Sequence, residues 1–394
     1  MSSGKGIASI SAGRVRPKYI SEDRKPRRRY RMFTSYDEQR ALLNTASKRN
    51  ATIAILGMAV ALTFMMTDEV LILLSVGFAA AVGAIGLNLV TGYAGQISLG
   101  HAFFVGLGAY VASCLGGEGS GREIGLGLDG LLWLPAAGLV AGSAGALMAP
   151  LAVRFRGLYL AIVTLGVVLI GAHFFRELAS VTGGAGIGRR GPSLTFAGAE
   201  LNANRTVFGV PLTGEQVTYV AVLVVLVVVA ICARNIARSH VGRAFAAVRD
   251  RDLAAGPMAI DLFRTKMTAF TVSSAYAGVA GALLAGITGY IEPSAFGLVM
   301  SIQYLAMILL GGLATISGSI AGAMFITLLP RATQGLGEAL PILNDEGYGL
   351  LTPFQLEQIL YGLLIVLFVL FEPGGLVGIW GRIRNYWRSF PFTY

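Results

Sequence analysis

From residue 51 onward the chain alternates long apolar runs with short polar breaks. The runs fall at 51–67, 70–90, 95–115, 131–153, 157–178, 217–233, 267–290, 296–313, 314–330 and 355–371. A helix needs about 20 apolar residues, within a range of roughly 17–25, to cross the hydrocarbon core of a bilayer. Every run reaches that range, and runs of this length are helices rather than strands. The pattern predicts an all-α, polytopic membrane protein of about ten transmembrane or re-entrant helices. Its least marked division lies within 296–330.

Composition agrees. Only 13% of the 394 residues are charged, against about 25% in soluble domains. The hydrophobic class reaches 55% before the 53 glycines are added. These values exclude a soluble enzyme, a disordered chain and a disulfide scaffold. The net charge of +10 would suit nucleic acid, but its distribution points elsewhere. With the N-terminus inside and ten alternating spans, the inner segments are 1–50, 91–94, 154–156, 234–266, 314–317 and 372–394. They hold 25 of the 31 Lys and Arg residues but only 8 of the 21 Asp and Glu. Such a Lys/Arg bias sets orientation, so the basic excess is a topology signal and no nucleic acid is expected as a partner. Both termini are predicted to be cytoplasmic.

The expected organisation is a basic cytoplasmic arm at 1–50, a transmembrane domain at 51–371 and a cytoplasmic tail at 372–394. The domain includes an outer loop at 179–216 and an inner loop at 234–266. The run Arg24-Lys25-Pro26-Arg27-Arg28-Arg29-Tyr30-Arg31 reads as a solvated tail that fixes orientation. Contact with anionic membrane lipid is the alternative. Cys114 and Cys232 are expected near opposite faces of the bilayer, about 30 Å apart, too far for a disulfide. Both are read as buried small apolar residues.

The middles of the spans are almost free of Asp, Glu, Lys and Arg. Proton and ion relays need such groups, so an ion-driven carrier is disfavoured, although backbone carbonyls can also bind Na⁺. The sequence lacks G-x-x-x-x-G-K-[ST], the phosphate-cradling loop of ATPases. ATP drive would therefore require a separate subunit docked on the inner loop 234–266. Three histidines form neither a metal-ligand spacing nor a nucleophilic triad. No catalytic residue, metal or cofactor is predicted.

The most informative stretch is Gly86-Leu87-Asn88-Leu89-Val90-Thr91-Gly92-Tyr93-Ala94-Gly95-Gln96-Ile97-Ser98-Leu99-Gly100-His101. Its glycines interrupt two apolar runs, and polar groups cluster with them. Irregular backbone at membrane depth is tolerated only where it is buried or lines a cavity. The stretch therefore reads as a broken helix beside a permeation path, or as a tight inner turn between ordinary helices. A second Gly-rich break is Gly311-Gly312-Leu313-Ala314-Thr315-Ile316-Ser317-Gly318-Ser319. Paired breaks in two halves of a transporter point to a pseudo-symmetric site. Asn88, Thr91, Gln96, Ser98, His101, Thr315 and Ser317 are the candidate pathway residues. The stripes Gly138, Gly142, Ala146 and Gly278, Ala282, Gly286 are expected to let helices approach closely.

A helix in the inner loop would present Ala247, Ala254, Ala255, Met258 and Ile260 among charged neighbours. Small apolar tips suit docking into a groove on another protein; a helix lying on the membrane interface is the alternative.

These residues resemble the branched-chain amino acid permease family of ABC importers. The inner loop is similar to its pattern G-R-A-x-x-A-x-R-D-x-x-x-A-A-x-x-x-G-I, and 86–101 to its signature G-L-N-L-x-x-G-Y-x-G-Q-x-S-L-G-H. Further likeness lies in Gly157-Leu158-Tyr159-Leu160, Thr182-Gly183-Gly184, the 311–318 segment and Pro373-Gly374-Gly375-Leu376-Val377-Gly378. The resemblance covers about 70–380.

It implies a permease subunit of the bacterial inner membrane, without an ATPase of its own. Implied partners are cytosolic ATP-binding subunits, a second homologous permease subunit and an extracytoplasmic substrate-binding protein. Implied substrates are branched-chain amino acids, with urea or short amides as the alternative and a self-sufficient carrier or channel as the competing class. By the same resemblance Arg243, Arg249, Asp250, Ala254, Ala255 and Ile260 are the ATPase-coupling residues. Two departures stand out. Ala259 occupies a position where the family usually has glycine, and Gly256-Pro257 interrupts a place where it continues a helix. A coupling helix split near Pro257 is expected, because proline is accepted only in a first helical turn.

Overall fold

The computed structural model describes residues 46–119, 124–184, 186–196, 198–201, 203–207, 210–339, 353–372 and 374–389. The basic arm at 1–45, residues 340–352 and the last five residues lie outside them. The chain separates into residues 1–53 and 54–394. Of the first unit only the start of one helix is described.

Each of the ten apolar runs forms a helix. In chain order these are α1 (Ala46–Met65), α2 (Asp68–Asn88), α3 (His101–Gly116), α4 (Gly130–Leu147) with the short α5 (Ala149–Arg154), and α6 (Leu158–Glu177) with the short α7 (Ala179–Thr182). There follow α8 (Gly214–Arg238), the shorter α9 (His240–Asp250) and α10 (Asp252–Ala255), and α11 (Leu262–Thr288). The chain continues through α12 (Leu298–Gly311), α13 (Ile316–Ala339), α14 (Pro353–Phe371) and α15 (Gly375–Ser389). The protein is thus an all-α, polytopic membrane protein.

The sequence sets these bounds by local chemistry. Asp129, Ser239 and Asp261 each accept a backbone N–H in the first turn of the helix that follows. Thr213 and Gln216 form a reciprocal capping box at the start of α8. Each such cap contributes about 1 kcal/mol. Ala149-Pro150 opens a new helix after Met148, since proline cannot donate within a continuing one.

Five apolar segments are long enough to cross a membrane: Asp68–Tyr93, Gly130–Arg154, Leu158–Glu177, Gly214–Arg238 and Leu262–Thr288. Two others are not. With 16 and 14 residues, α3 and α12 extend about 24 and 21 Å at 1.5 Å per residue, short of a core of about 30 Å. The apolar run expected from 95 becomes helical only at His101, and 94–100 has no regular structure. The division within 296–330 falls at the turn 312–315, between α12 and α13.

Helix α11 is the centre of the bundle, packed on α4, α3 and α2. Helix α2 packs in turn on α13 and α8. The small-residue stripes make these contacts. Gly138 and Gly142 face Val279 and Ala275 of α11, and Gly145, rather than Ala146, meets Ser274. A Cβ on Gly278 would lie 2.5 Å from both the Ala137 carbonyl oxygen and the Ala141 Cβ. On the other side of α11, a Cβ on Gly108 would run into the Gly278 backbone. Among the described residues Cys114 is half-buried and Cys232 exposed, neither of them in a disulfide. Burial of Cys232 was expected, but it shares a side of α8 with exposed Val224, Val228 and Ile231.

Substituting leucine at Gly278 should therefore separate α11 from both neighbours. Overpacking of this kind costs about 1–3 kcal/mol. Gly278→Leu is expected to lower the melting temperature of the detergent-solubilised protein by several degrees. Gly166→Ala, which meets open space, is expected to leave it unchanged.

Candidate functional site

Helix α2 does not end cleanly. It runs into a wider π turn, Leu89–Tyr93, and Gly95 then takes a left-handed φ of +68°. A π turn inside a helix often marks a functional site. The irregular backbone that follows is satisfied locally. Ala94 and Gln96 donate to the Leu89 and Val90 carbonyls. The Thr91 hydroxyl donates to the Gln96 carbonyl, and the Gln96 amide to that of Ala94. Gly100 N–H donates to Ser98 Oγ, and Leu99 N–H to Thr164 Oγ1 of α6 at 3.0 Å. Thr91, Gln96 and Ser98 therefore serve the broken backbone itself. His101 is buried at the start of α3. Its Nε2 donates to the Gly83 carbonyl at 2.9 Å, and its ring meets the edge of Tyr304. Beside it, Ala102 N–H donates to Ser301 Oγ, fully buried on α12. The two short helices thus begin against one another.

Asn88 joins the two Gly-rich breaks. Its Nδ2 donates to Ser319 Oγ at 2.7 Å and to the Thr315 and Gly312 carbonyls at 3.0 and 3.4 Å. Its Oδ1 accepts from Ala314 N–H at 2.9 Å. One buried side chain thereby closes the turn 312–315, more than 220 residues away. Gly92 leaves the room for it, because a Cβ there would overlap Asn88 Oδ1. Thr315 Oγ1 donates to the Gly312 carbonyl at 2.7 Å, inside the same turn. Ser317 is exposed at the start of α13.

The inner segment packs beneath this assembly. Helix α9 is amphipathic, with Gly242, Phe245 and Val248 buried and Val241, Arg243, Arg249 and Asp250 exposed. Arg249 Nη1 donates to the Gly92 carbonyl at 3.2 Å, while its Nε pairs with Asp250. Gly95 packs on the stem of Arg249. The helix breaks at Arg251 and again after Ala255, so the split expected near Pro257 is present as a turn over 256–259. Ala259 closes it with φ +60°, a left-handed conformation that costs a non-glycine residue about 1–2 kcal/mol. Ala255 is 2% exposed, so its side chain faces the protein and not a docking partner. The exposed apolar tip is Met258, at 76%. Ile260 is half-buried, its N–H bonded to the Ala255 carbonyl. Nothing is described of the Ala254 side chain.

Four charged residues here were not singled out from sequence. Asp252 accepts from Lys266 Nζ and Arg156 Nε, both at 3.1 Å. Lys266 is 1% exposed and also donates to the Ala152 carbonyl. This cluster ties α10 to α11 and to the α5–α6 turn. Its only sequence signal was a lysine opening an apolar run. At the end of α3, buried Arg189 donates to the Ser113, Val181 and Ile124 carbonyls and to Cys114 Sγ. It stitches that end to the segment beside Thr182-Gly183-Gly184.

Asn88→Ala would strand the polar groups of the 312–315 turn, each worth about 1–3 kcal/mol when buried without a partner. It is expected to destabilise the protein by several degrees in melting temperature, and Asn88→Asp, which cannot donate, by at least as much. Ala259→Gly relieves the left-handed alanine and should raise stability by about 1 kcal/mol. Thermal unfolding of the solubilised chain checks all three.

Residues 69–369 match the family described as branched-chain amino acid transport system / permease component. The chain is 29% identical to the high-affinity branched-chain amino acid transport system permease protein LivM of Escherichia coli K12, over 85% of this chain and 76% of that one. The LivM protein of Salmonella typhimurium LT2 matches to the same extent. The autoinducer 2 import system permease protein LsrC of Enterobacter sp. 638 is 33% identical over 27% of this chain and 32% of its own. No solved structure matches the chain. Helical bundle, broken segment and sequence match agree: this chain belongs to the branched-chain amino acid transport permease family, a multi-pass protein of the bacterial inner membrane.

Proposed function

We propose that this chain is a translocating subunit of an ATP-driven importer for branched-chain amino acids, energised by separate cytosolic ATP-binding subunits. The observation that carries the reading is the match to the LivM proteins over most of both chains. A second homologous permease subunit completes the path, and an extracytoplasmic binding protein delivers the substrate. A zwitterionic amino acid carries no net charge, which suits spans whose middles hold few ionisable groups.

A chain of contacts supports a route from docking to gating. In this reading the ATP-binding subunits seat on the exposed face of α9 and on Met258. ATP binding draws the inner segments together. Arg249 grips the Gly92 carbonyl, so the pull reaches the π turn. Asn88, one residue before that turn, passes it to 312–315. The short helices α3 and α12, which begin against one another through Ala102 and Ser301, lie on either side of the passage. Asn88, Thr91, Gln96, Ser98 and Thr315 hold the broken segments in shape, and His101 and Ser317 stand at their ends.

Labelled leucine uptake, with and without this gene, tests the reading. Gene-dependent uptake is expected to survive a proton ionophore and to fail on ATP depletion. Uptake that collapses with the ion gradient at intact ATP would overturn it in favour of a secondary carrier. Leucine uptake that is unchanged, with gene-dependent uptake of urea or short amides, would replace the substrate. Met258→Glu is expected to cut uptake about tenfold, the effect of about 1.4 kcal/mol of lost docking, at unchanged protein level and melting temperature. Ala255→Glu instead places a charge inside the protein and is expected to lower the melting temperature as well. Normal uptake in Met258→Glu would remove this residue from the docking surface.

A further inference from the structure

Helix α15 carries an exposed apolar face. Trp380, Ile383, Tyr386 and Trp387 are all exposed, Trp380 at 66% and Trp387 at 74%. Their spacing of three and four residues places them on one side of the helix. Arg384 borders this face and Arg382 flanks its other edge, Asn385 lies opposite, and the helix contains no acidic residue. Its first turns are packed. Gly375 lies against the Gly312 N–H and the Leu310 carbonyl at the end of α12, and Glu372 pairs with Arg382.

Three observations identify what covers this face. Helix α15 follows α14 after three residues, and α14 ends in Leu370 and Phe371, 70% and 76% exposed. The apolar face of α15 therefore continues the lipid-facing surface of a membrane helix. Its aromatic residues are the types enriched at the membrane–water boundary. The arginines that flank it match anionic headgroups in charge. A helix with an aromatic face bordered by Arg lies in the plane of the interface.

We infer that α15 lies in the membrane interface on the side of α9, with Trp380 and Trp387 at the boundary of headgroups and acyl chains and Arg384 on anionic phospholipid. The side follows from contacts: α15 rests on the Leu310–Gly312 end that Asn88 closes, next to the π turn that Arg249 of α9 touches. The lipid surface thus holds one flank of the turn 312–315.

The test uses the full chain in phosphatidylcholine vesicles with and without about one third phosphatidylglycerol. Tryptophan emission is quenched from the membrane by lipids brominated at shallow acyl positions, and from water by acrylamide. The signal missing from a Trp380→Phe/Trp387→Phe variant isolates these two residues from buried Trp133. Strong quenching by bromolipid and weak quenching by acrylamide are expected. The acrylamide quenching constant should fall about twofold further with phosphatidylglycerol, and Arg384→Glu should abolish that difference. Acrylamide quenching like that of free tryptophan, with none from bromolipid, would overturn the assignment. So would exposure in the chain alone that disappears when co-purifying subunits are present, since the face would then be a protein docking site. Equal quenching in both lipid compositions would overturn the role of anionic lipid.

Discussion

A peptide group inside a bilayer has no water to turn to, so every N–H and C=O at membrane depth must find a partner in the protein. Helices meet this demand by themselves; the break between α2 and α3 cannot. Its bonds come from Thr91, Gln96 and Ser98 within the segment, from Thr164 on α6, and from the turns of the π helix. The second break, at 312–315, is served from outside by Asn88. The polar residues in an otherwise apolar sequence are thus largely committed to keeping two interruptions in place. Leaving such interruptions costs stability, and they persist because the surrounding helices over-determine them.

The same economy joins the membrane domain to its inner face. Helix α9 is fixed by a buried apolar face and by one guanidinium on a free carbonyl of the π turn. Asp252 brings two cations from different elements to one carboxylate. Lys266 is almost wholly enclosed while Arg156 is half exposed, so removing Asp252 would leave the lysine's buried charge uncompensated. The inner segment therefore has two attachments, one to the π turn and one to the base of α11.

Much of this was legible in sequence. Ten apolar runs gave ten helices because run length and hydropathy are local properties. Asn88, Gln96, Ser98 and His101 stood out because polar residues are conspicuous in such runs. What they bond to was not legible. Asn88 meets residues more than 220 positions away, and Thr164 and Ser301 are single hydroxyls whose importance depends on which backbone N–H falls beside them. Burial was read with the same limit. Cys232 and Ala255 each sit among apolar neighbours in sequence, yet the first is exposed and the second enclosed. Which side of a helix meets another helix is decided by the whole bundle.

The glycine-lined contacts of α11 carry a mechanical consequence. Side-chain rotamers normally act as the compliance of a helix interface, allowing two helices to shift by repacking. Where Gly108, Gly278 and Gly281 bring backbone against backbone, that compliance is gone. Helices α3, α4 and α11 then form a stiff block. A motion that opens or closes the protein has its shear plane outside this block, along the surfaces that α12, α13 and α8 present to it.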